Sequence, residues 1–197
     1  MQKAFEIYKA DQKKVDKEYT HSNIAAAYAL MLTNKHSVPR VYYGDMWTDD
    51  GQFMDVKSDN FDAISALLKA RVKYVGGGQF MDMHYVDGDD SMSPTDYKGV
   101  LSSVRYGKGI NSSNDTTNRD SKTQGSVVLV SNNPKLKLSD SDIIKVNVGK
   151  IHANQAYRPV VLSTKAGLSV FNSDAEVPSD LIKYSDSEGN LHFSKKD

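Results

Sequence analysis

The amino-acid sequence predicts an α/β section over residues 1–78 followed by an all-β section over residues 79–197. Three observations carry that division. Hydrophobic spacing is helical up to about residue 76, a glycine triplet then stands at Gly76-Gly77-Gly78, and beyond it come only short β-rich runs separated by Gly, Asn, Asp and Ser. No internal repeat is visible.

Taken in order, Phe5, Tyr8 and Val15 are spaced for one face of a first helix. Ile24, Ala27, Tyr28 and Met31 recur on a second, with Ser22 or Asn23 placed to cap it. Val38-Pro39-Arg40-Val41-Tyr42-Tyr43 is a β-rich run with proline at its entry, where a missing ladder donor is tolerated. A loop follows from Gly44, and a further helix opens near Ser58-Asp59 with Phe61, Ile64, Leu67, Leu68, Val72 and Val75 on one face. The glycine triplet ends it. Strands are predicted at Val100–Tyr106, Ser126–Ser131, Ile143–Val148, Tyr157–Leu162 and Leu168–Phe171, with Asp87–Tyr97 and Asn111–Lys122 as polar loops. Ser185–Asn190 reads as a turn between Ile182-Lys183-Tyr184 and Leu191-His192-Phe193, so the tail is predicted to be a hairpin. An antiparallel sandwich is the natural packing for such strands.

A lone strand between helices leaves both of its edges unpaired. Parallel strands of that kind are buried on both faces and close only in company with other βα units, so the first section reads as the last slice of a larger barrel. The loop after the strand, Gly44-Asp45-Met46-Trp47-Thr48-Asp49-Asp50-Gly51-Gln52-Phe53-Met54, is acidic and aromatic. At the C-terminal end of a barrel strand it stands where substrates bind: aromatic faces stack on sugar rings, and Asp and Gln hydrogen-bond hydroxyls. Tyr43, Asp45, Asp49, Asp50 and Gln52 are the candidate sugar-facing residues on that basis. The plainer reading is a solvated loop with local aromatic packing.

Bulk composition narrows the remaining choices. Lys plus Arg and Asp plus Glu both total 25, so no net field draws the chain to nucleic acid or an anionic membrane. Cysteine is absent, which removes disulfides, thiolate nucleophiles and Cys-ligated zinc. No run approaches the roughly 20 apolar residues that span a bilayer, and the first ten residues do not form a signal sequence. An exported parent is therefore expected to carry its signal upstream, with Met1 an internal residue or a cloning artefact. The acidic run Asp45, Asp49, Asp50, Asp55 lacks the glycine position and closing glutamate of a calcium loop, so no metal site is assigned to the chain. The five histidines show no zinc-protease spacing, and Gly107-Lys108-Gly109 lacks the rest of a phosphate loop. Two Asn-x-Ser/Thr triplets at Asn111 and Asn114 read as a polar loop.

Longer blocks are more specific. Tyr19-Thr20, Leu32-Thr33-Asn34-Lys35, Val38-Pro39-Arg40-Val41-Tyr42-Tyr43-Gly44-Asp45, Thr48-Asp49-Asp50-Gly51-Gln52 and Leu67 to Val75 resemble consecutive blocks of bacterial glucansucrases, the dextransucrase-like transglucosylases. Gly77-Gly78-Gln79, Ser103-Val104-Arg105-Tyr106-Gly107-Lys108-Gly109, Ser131-Asn132-Asn133 and His152 to Arg158 continue the resemblance in the same order.

That resemblance implies a circularly permuted (β/α)8 barrel, with residues 1–78 as its closing helix, strand and helix (catalytic domain A) and 79–197 as most of domain C, a Greek-key β-sandwich. It also implies a retaining double displacement by paired carboxyls about 5–5.5 Å apart. The Arg-x-Asp-x-x-x-Asn, Glu-Asp-Trp and Ala-His-Asp elements that carry those carboxyls in the family are not in this chain, so no catalytic residue is assigned here. The expected activity is glucosyl transfer from sucrose to a growing α-glucan outside the cell, with no nucleic-acid or membrane partner. The rest of the same polypeptide is expected to complete the barrel, and the family's calcium to sit elsewhere. Two alternatives remain. One is a 4,6-α-glucanotransferase using starch-like α-glucans, suggested by the insert Asp87–Tyr97 and by Gly149-Lys150-Ile151-His152-Ala153-Asn154, where sucrose-using members more often read Gly-Ala-Ala-His-Lys-Asn. The other is a non-catalytic carbohydrate-binding module.

Overall fold

The structure, a computed structural model, describes residues 24–48, 54–86, 99–115, 124–131, 136–164 and 167–196. The predicted first helix, the capping pair Ser22 and Asn23, and the insert 87–97 lie outside them. Helix α1 spans Ile24–Thr33 and buries Ala25, Tyr28 and Leu32 along one face. Its partner α3, Phe61–Tyr74, buries Ala63, Ile64, Ala66 and Leu67. Tyr28, Leu32, Ile64 and Leu67 form one core cluster. Val72, predicted on that same face, is instead 69% exposed among the described residues.

The predicted strand at 38–43 is corrected. Residues 38–42 form no ladder, and Tyr43–Met46 makes a single helical turn, α2. A strand exists only against a neighbour, and none is present for this run among the described residues. The Tyr42 N–H donates to the Tyr28 hydroxyl at 2.9 Å instead. Val38, Tyr42 and Tyr43 are left 91%, 68% and 55% exposed. A two-residue pair follows, β1 (Trp47–Thr48) with β2 (Val56–Lys57).

The β-rich section opens with a strand the sequence reading missed, β3 (Gln79–Tyr85). Its residues Gln-Phe-Met-Asp-Met-His-Tyr include no β-branched side chain, which is why the usual strand signal is weak. With β4 (Gly99–Arg105) and β5 (Ser126–Val130) it forms an antiparallel sheet in the order β3-β4-β5. The glycine triplet does more than stop α3. Gly77 has φ +73°, and a Cβ there would fall 1.8 Å from the Gly107 carbonyl oxygen; at Gly78 it would fall 1.9 Å from that of Asn111. Two backbones cross at that point, joined by Gly78 N–H to Ile110 O at 2.7 Å and Tyr106 N–H to Gly78 O at 3.1 Å.

Strand β6 (Ile144–Asn147) pairs with β11 (Asn190–Phe193), and β7 (Ala156–Tyr157) with β10 (Lys183–Tyr184). The tail is therefore not the hairpin the sequence predicts. Its turn is pinned to the 149–155 segment: Ser185 Oγ donates to the His152 carbonyl and accepts from Gln155 N at 2.9 Å, and Val148 N donates to Gly189 O at 2.8 Å. That anchor directs the two arms to different partners. The predicted strand Tyr157–Leu162 is likewise split at Pro159, which offers no N–H; β8 (Val161–Thr164) then pairs with β9 (Gly167–Val170). The other predicted strands agree to within a residue or two at their ends. Of the predicted loop 111–122, residues 111–115 are described and form a turn closed by Asp115, which accepts from the Asn111 N–H at 2.6 Å.

One core joins the three-stranded sheet to the β6–β11 pair through Val100, Val104, Tyr106, Ile144, Val146, Val148 and Leu191. Each such burial contributes about 1.5–3 kcal/mol for a full-sized aliphatic or aromatic side chain. His152 is buried within this section, its Nε2 2.7 Å from Tyr106 O and its Nδ1 2.8 Å from Gln155 Oε1, which accounts for it as a structural histidine. The β8–β9 pair packs elsewhere, against α1 and α3, and Val161 joins the helical cluster.

Arg105, 7% exposed, ties the sections together. Its Nη1 donates to Thr33 O at 2.7 Å and its Nη2 to Gly77 O at 2.9 Å, so Arg105→Met leaves two carbonyls unpartnered and is expected to cost the complete protein about 2–5 kcal/mol, read from denaturant unfolding. Arg105→Lys, which reaches one carbonyl at a time, is expected to lose about half as much. A second prediction concerns acid. Asp186 accepts from His192 Nε2 at 3.0 Å, from Asn190 N at 2.8 Å and from Glu188 N at 2.9 Å; His192 first, then these amides, hold its carboxyl well below the usual carboxylate range. A depressed folded-state pKa stabilises above the unfolded value of about 4 and is lost as pH falls through the folded one. Melting temperature is therefore expected to drop less steeply below about pH 4 in Asp186→Ala than in the parent protein.

Candidate functional site

The acidic, aromatic loop is built on α2 and the β1–β2 pair. Tyr28, projecting from α1, donates its hydroxyl proton to Asp45 Oδ2 at 2.6 Å while accepting from Tyr42 N. Ser58 Oγ donates to the Asp45 carbonyl at 2.6 Å, and Ser58 N to the Met46 carbonyl at 2.9 Å. α2 is thus fastened by the Tyr28 side chain from α1 and by Ser58 in the turn before α3. Burial raises the Tyr28 pKa, and the bond to Asp45 raises it further, so the phenol holds its proton as a donor.

On the outer side, Tyr43 donates its hydroxyl to the Met54 carbonyl at 2.6 Å, which ties α2 to the residues before β2. Its ring stacks with Trp47 at 6.1 Å between centroids, and Trp47 meets Phe61 edge-on at 4.8 Å. Lys57 Nζ lies 4.4 Å from the Phe61 centroid. The result is an aromatic shelf running from the exposed Tyr43 ring down to the start of α3. Such a shelf can stack on an apolar sugar face, and Asp45, whose Oδ2 holds Tyr28, offers Oδ1 as an acceptor.

Of the five candidate residues, Tyr43 and Asp45 stand two apart on one helical turn, one turned outward and the other toward α1. Asp49, Asp50 and Gln52 lie outside the described residues. Tyr28 and Trp47 belong to the same arrangement but were not singled out from sequence. Trp47 sits within the loop that drew attention. Tyr28 carries only the signal of an aromatic on a helix face. Among the described residues no three His, Cys, Asp or Glu side chains gather into a metal-binding set. No described helix is long and apolar enough to cross a membrane.

The described chain is thus a helical pair, with an aromatic and acidic segment between its two helices, joined to a β-rich section. The chain belongs to glycosyl hydrolase family 70, whose family model matches residues 1–197. Glucosyltransferase-S of Streptococcus mutans serotype c is 51% identical over 197 residues, all of this chain and 13% of that protein. Glucosyltransferase-I of Streptococcus downei is 45% identical over 195 residues, 98% of this chain and 12% of that protein. Among solved structures, alternansucrase in complex with isomaltotriose superposes with a TM-score of 0.78 at 41% identity, covering 100% of this chain and 17% of that one. Truncated alternansucrase from Leuconostoc mesenteroides gives 0.76 at 41% identity, over 98% of this chain and 16% of that one. The chain thus spans about an eighth of the length of the curated relatives it matches.

The Tyr28 hydroxyl serves two bonds at once. Tyr28→Phe in the complete protein is expected to cost roughly 1–2 kcal/mol, measured by denaturant unfolding. Asp45→Asn, whose amide oxygen still accepts, is expected to cost less. A larger loss in Asp45→Asn than in Tyr28→Phe would mean that the charge of Asp45, and not its bond to Tyr28, holds the loop.

Proposed function

We propose that this chain is an internal section of a secreted transglucosylase that moves glucosyl units from sucrose to a growing α-glucan by a retaining double displacement. Residues 1–78 close a circularly permuted (β/α)8 catalytic barrel, and residues 79–197 form most of a Greek-key β-domain behind it. The observation that carries this is the match of the family along the whole chain, which yet covers only 13% of the Streptococcus mutans glucosyltransferase. The run at 38–42 supports it: it forms no ladder among the described residues and leaves Val38 and Tyr42 exposed, which suits a strand whose neighbours are supplied by other parts of the polypeptide.

On this reading the paired carboxyls that attack and protonate the glycosidic bond come from the rest of the barrel. This chain supplies a rim, where the Tyr43 ring stacks on a sugar and Asp45, Asp49, Asp50 and Gln52 hold its hydroxyls. Calcium is held by other parts of the polypeptide. The second reading, a 4,6-α-glucanotransferase, draws support from Lys150 and Ile151 in the Gly149–Asn154 block; Lys150 is exposed and faces Glu188 at 3.7 Å, a surface pair that leaves the fold indifferent to that departure. A stand-alone carbohydrate-binding module is disfavoured by the unpaired run, which such a module has no reason to carry.

The test is to express the complete encoded protein and assay glucosyl transfer from sucrose and from maltooligosaccharides. Transfer from sucrose is expected, with none from residues 1–197 alone. Preference for maltooligosaccharides would move the assignment to the glucanotransferase. Turnover by the isolated chain, or an encoded protein that ends at these residues, would overturn the reading.

A further inference from the structure

Strand β3 breaks the sandwich pattern on the face where it matters most. In the antiparallel register Phe80 pairs with Val104, Asp82 with Ser102 and His84 with Val100, and β4 in turn sets Val104 against Val127 and Ser102 against Leu129. Directly paired residues share a face. Val100 and Val104 are buried in the core, with Val127 and Leu129 packed against it, so Phe80, Asp82 and His84 occupy the inward face of the sheet. An inward row is expected to be apolar, and a polar residue there without function is a fault. Here the row reads Phe, Asp, His, and the Phe80 ring is 51% exposed.

Among the described residues β6 and β11 flank that row without closing over it. An open cleft of about 240 Å³ remains between β3 and the edge of β6, lined by Phe80, Asp82, His84, Ser102, Lys145 and Asn147. Parts of it are fixed. Ser102, 2% exposed, lies 2.8 Å from His84 Nε2, and Asn147 Nδ2 donates to Asn190 Oδ1 at 3.0 Å while its own oxygen accepts from Gly149 N. The imidazole and the amide are therefore held in set orientations, with the Phe80 ring, the Asp82 carboxylate and the Lys145 ammonium around them.

The chemistry of that lining selects its ligand. An anion would meet Asp82, a cation would meet Lys145, and an apolar molecule would strip water from both without replacing it. A neutral polyol alone uses everything present: the ring face for its C–H surface, the carboxylate as acceptor, the ammonium and amide as donors. The volume lies below the roughly 300–1,000 Å³ of full small-molecule pockets, which suits a single sugar ring or a chain passing across an open surface. We propose that the β3–β6 cleft is a saccharide-binding subsite that holds an α-glucan chain away from the barrel. Its ligand class follows from the cleft itself, and the choice of α-glucan rests on the transglucosylase reading.

The experiment is hydrogen exchange on the complete protein with maltoheptaose or isomaltoheptaose as probe. Peptides covering 79–85 and 144–148 are expected to exchange about fivefold more slowly at a saccharide concentration near four times Kd. Phe80→Ala is expected to abolish that protection and Phe80→Trp to retain it; because the ring is half exposed, both variants are expected to keep the parent melting temperature. No change in these peptides with either saccharide would overturn the subsite, as would protection that persists in Phe80→Ala. Full protection before saccharide is added would mean that another part of the polypeptide covers the cleft, and would overturn it too. None of these readouts depends on glucosyl transfer, so failure of the subsite and failure of the transglucosylase reading are told apart.

Discussion

Arg105 reaches from the last position of β4 to the place where α1 ends and the glycine triplet crosses the 106–111 turn, and the relation between the helical and β-rich sections depends on it. A helix ends with carbonyls that have no partner of their own and carry partial negative charge. Arg71 donates to Leu32 O and Arg105 to Thr33 O, so two guanidinium groups close the last turn of α1. Burial lowers the Arg105 pKa, and the nearby charge of Arg71 lowers it further. That direction marks a cost of holding the charge, which stays constant wherever arginine remains protonated. The hydrogen bonds to Thr33 and Gly77 offset it, and they do so only while α1, the triplet and β4 hold their present relation. The buried Nε finds no partner in the described structure, so the balance is close.

The two described helices and most β-runs were legible because each is signalled by its own local spacing and turn residues. What was not legible depended on partners. Val38–Tyr43 has the composition of a strand, but composition cannot supply a neighbour, and without one the Tyr42 N–H turned to a side-chain hydroxyl. The opposite error occurred at β3, where Gln79–Tyr85 lacks β-branched residues yet pairs along its full length with β4. The tail turn at 185–190 was correctly placed and wrongly interpreted: a local hairpin competed with anchoring of Ser185 and Gly189 to the 148–155 segment, and the distant contacts prevailed. The candidate site shows the same division. Tyr43 and Asp45 could be found from loop position, whereas the role of Tyr28 arises only when α1 and α2 are brought side by side.

The glycine triplet marks a change of secondary structure along the chain without marking a separation in space. The β8–β9 pair, from well inside the β-rich section, packs against α1 and α3, and Val161 contacts the helical cluster directly. Lys35 N donates to Gln79 Oε1 at 2.8 Å, and Gln79 Nε2 continues to Ser103 Oγ at 2.9 Å, so the hydrogen-bond path crosses the same line. The helical pair is thus covered from the β-rich side by three separate described segments, β4, β5 and the β8–β9 pair. Its remaining side is the one that carries Val38, Tyr42 and Tyr43 with their side chains in solvent. A parallel barrel strand needs both flanks and both faces covered. On the proposed reading Val38, Tyr42 and Tyr43 are left for other parts of the polypeptide to cover, while Arg105, Gln79 and Val161 join the helices to the β-rich section. The β-rich section is therefore the side against which α1 and α3 are packed.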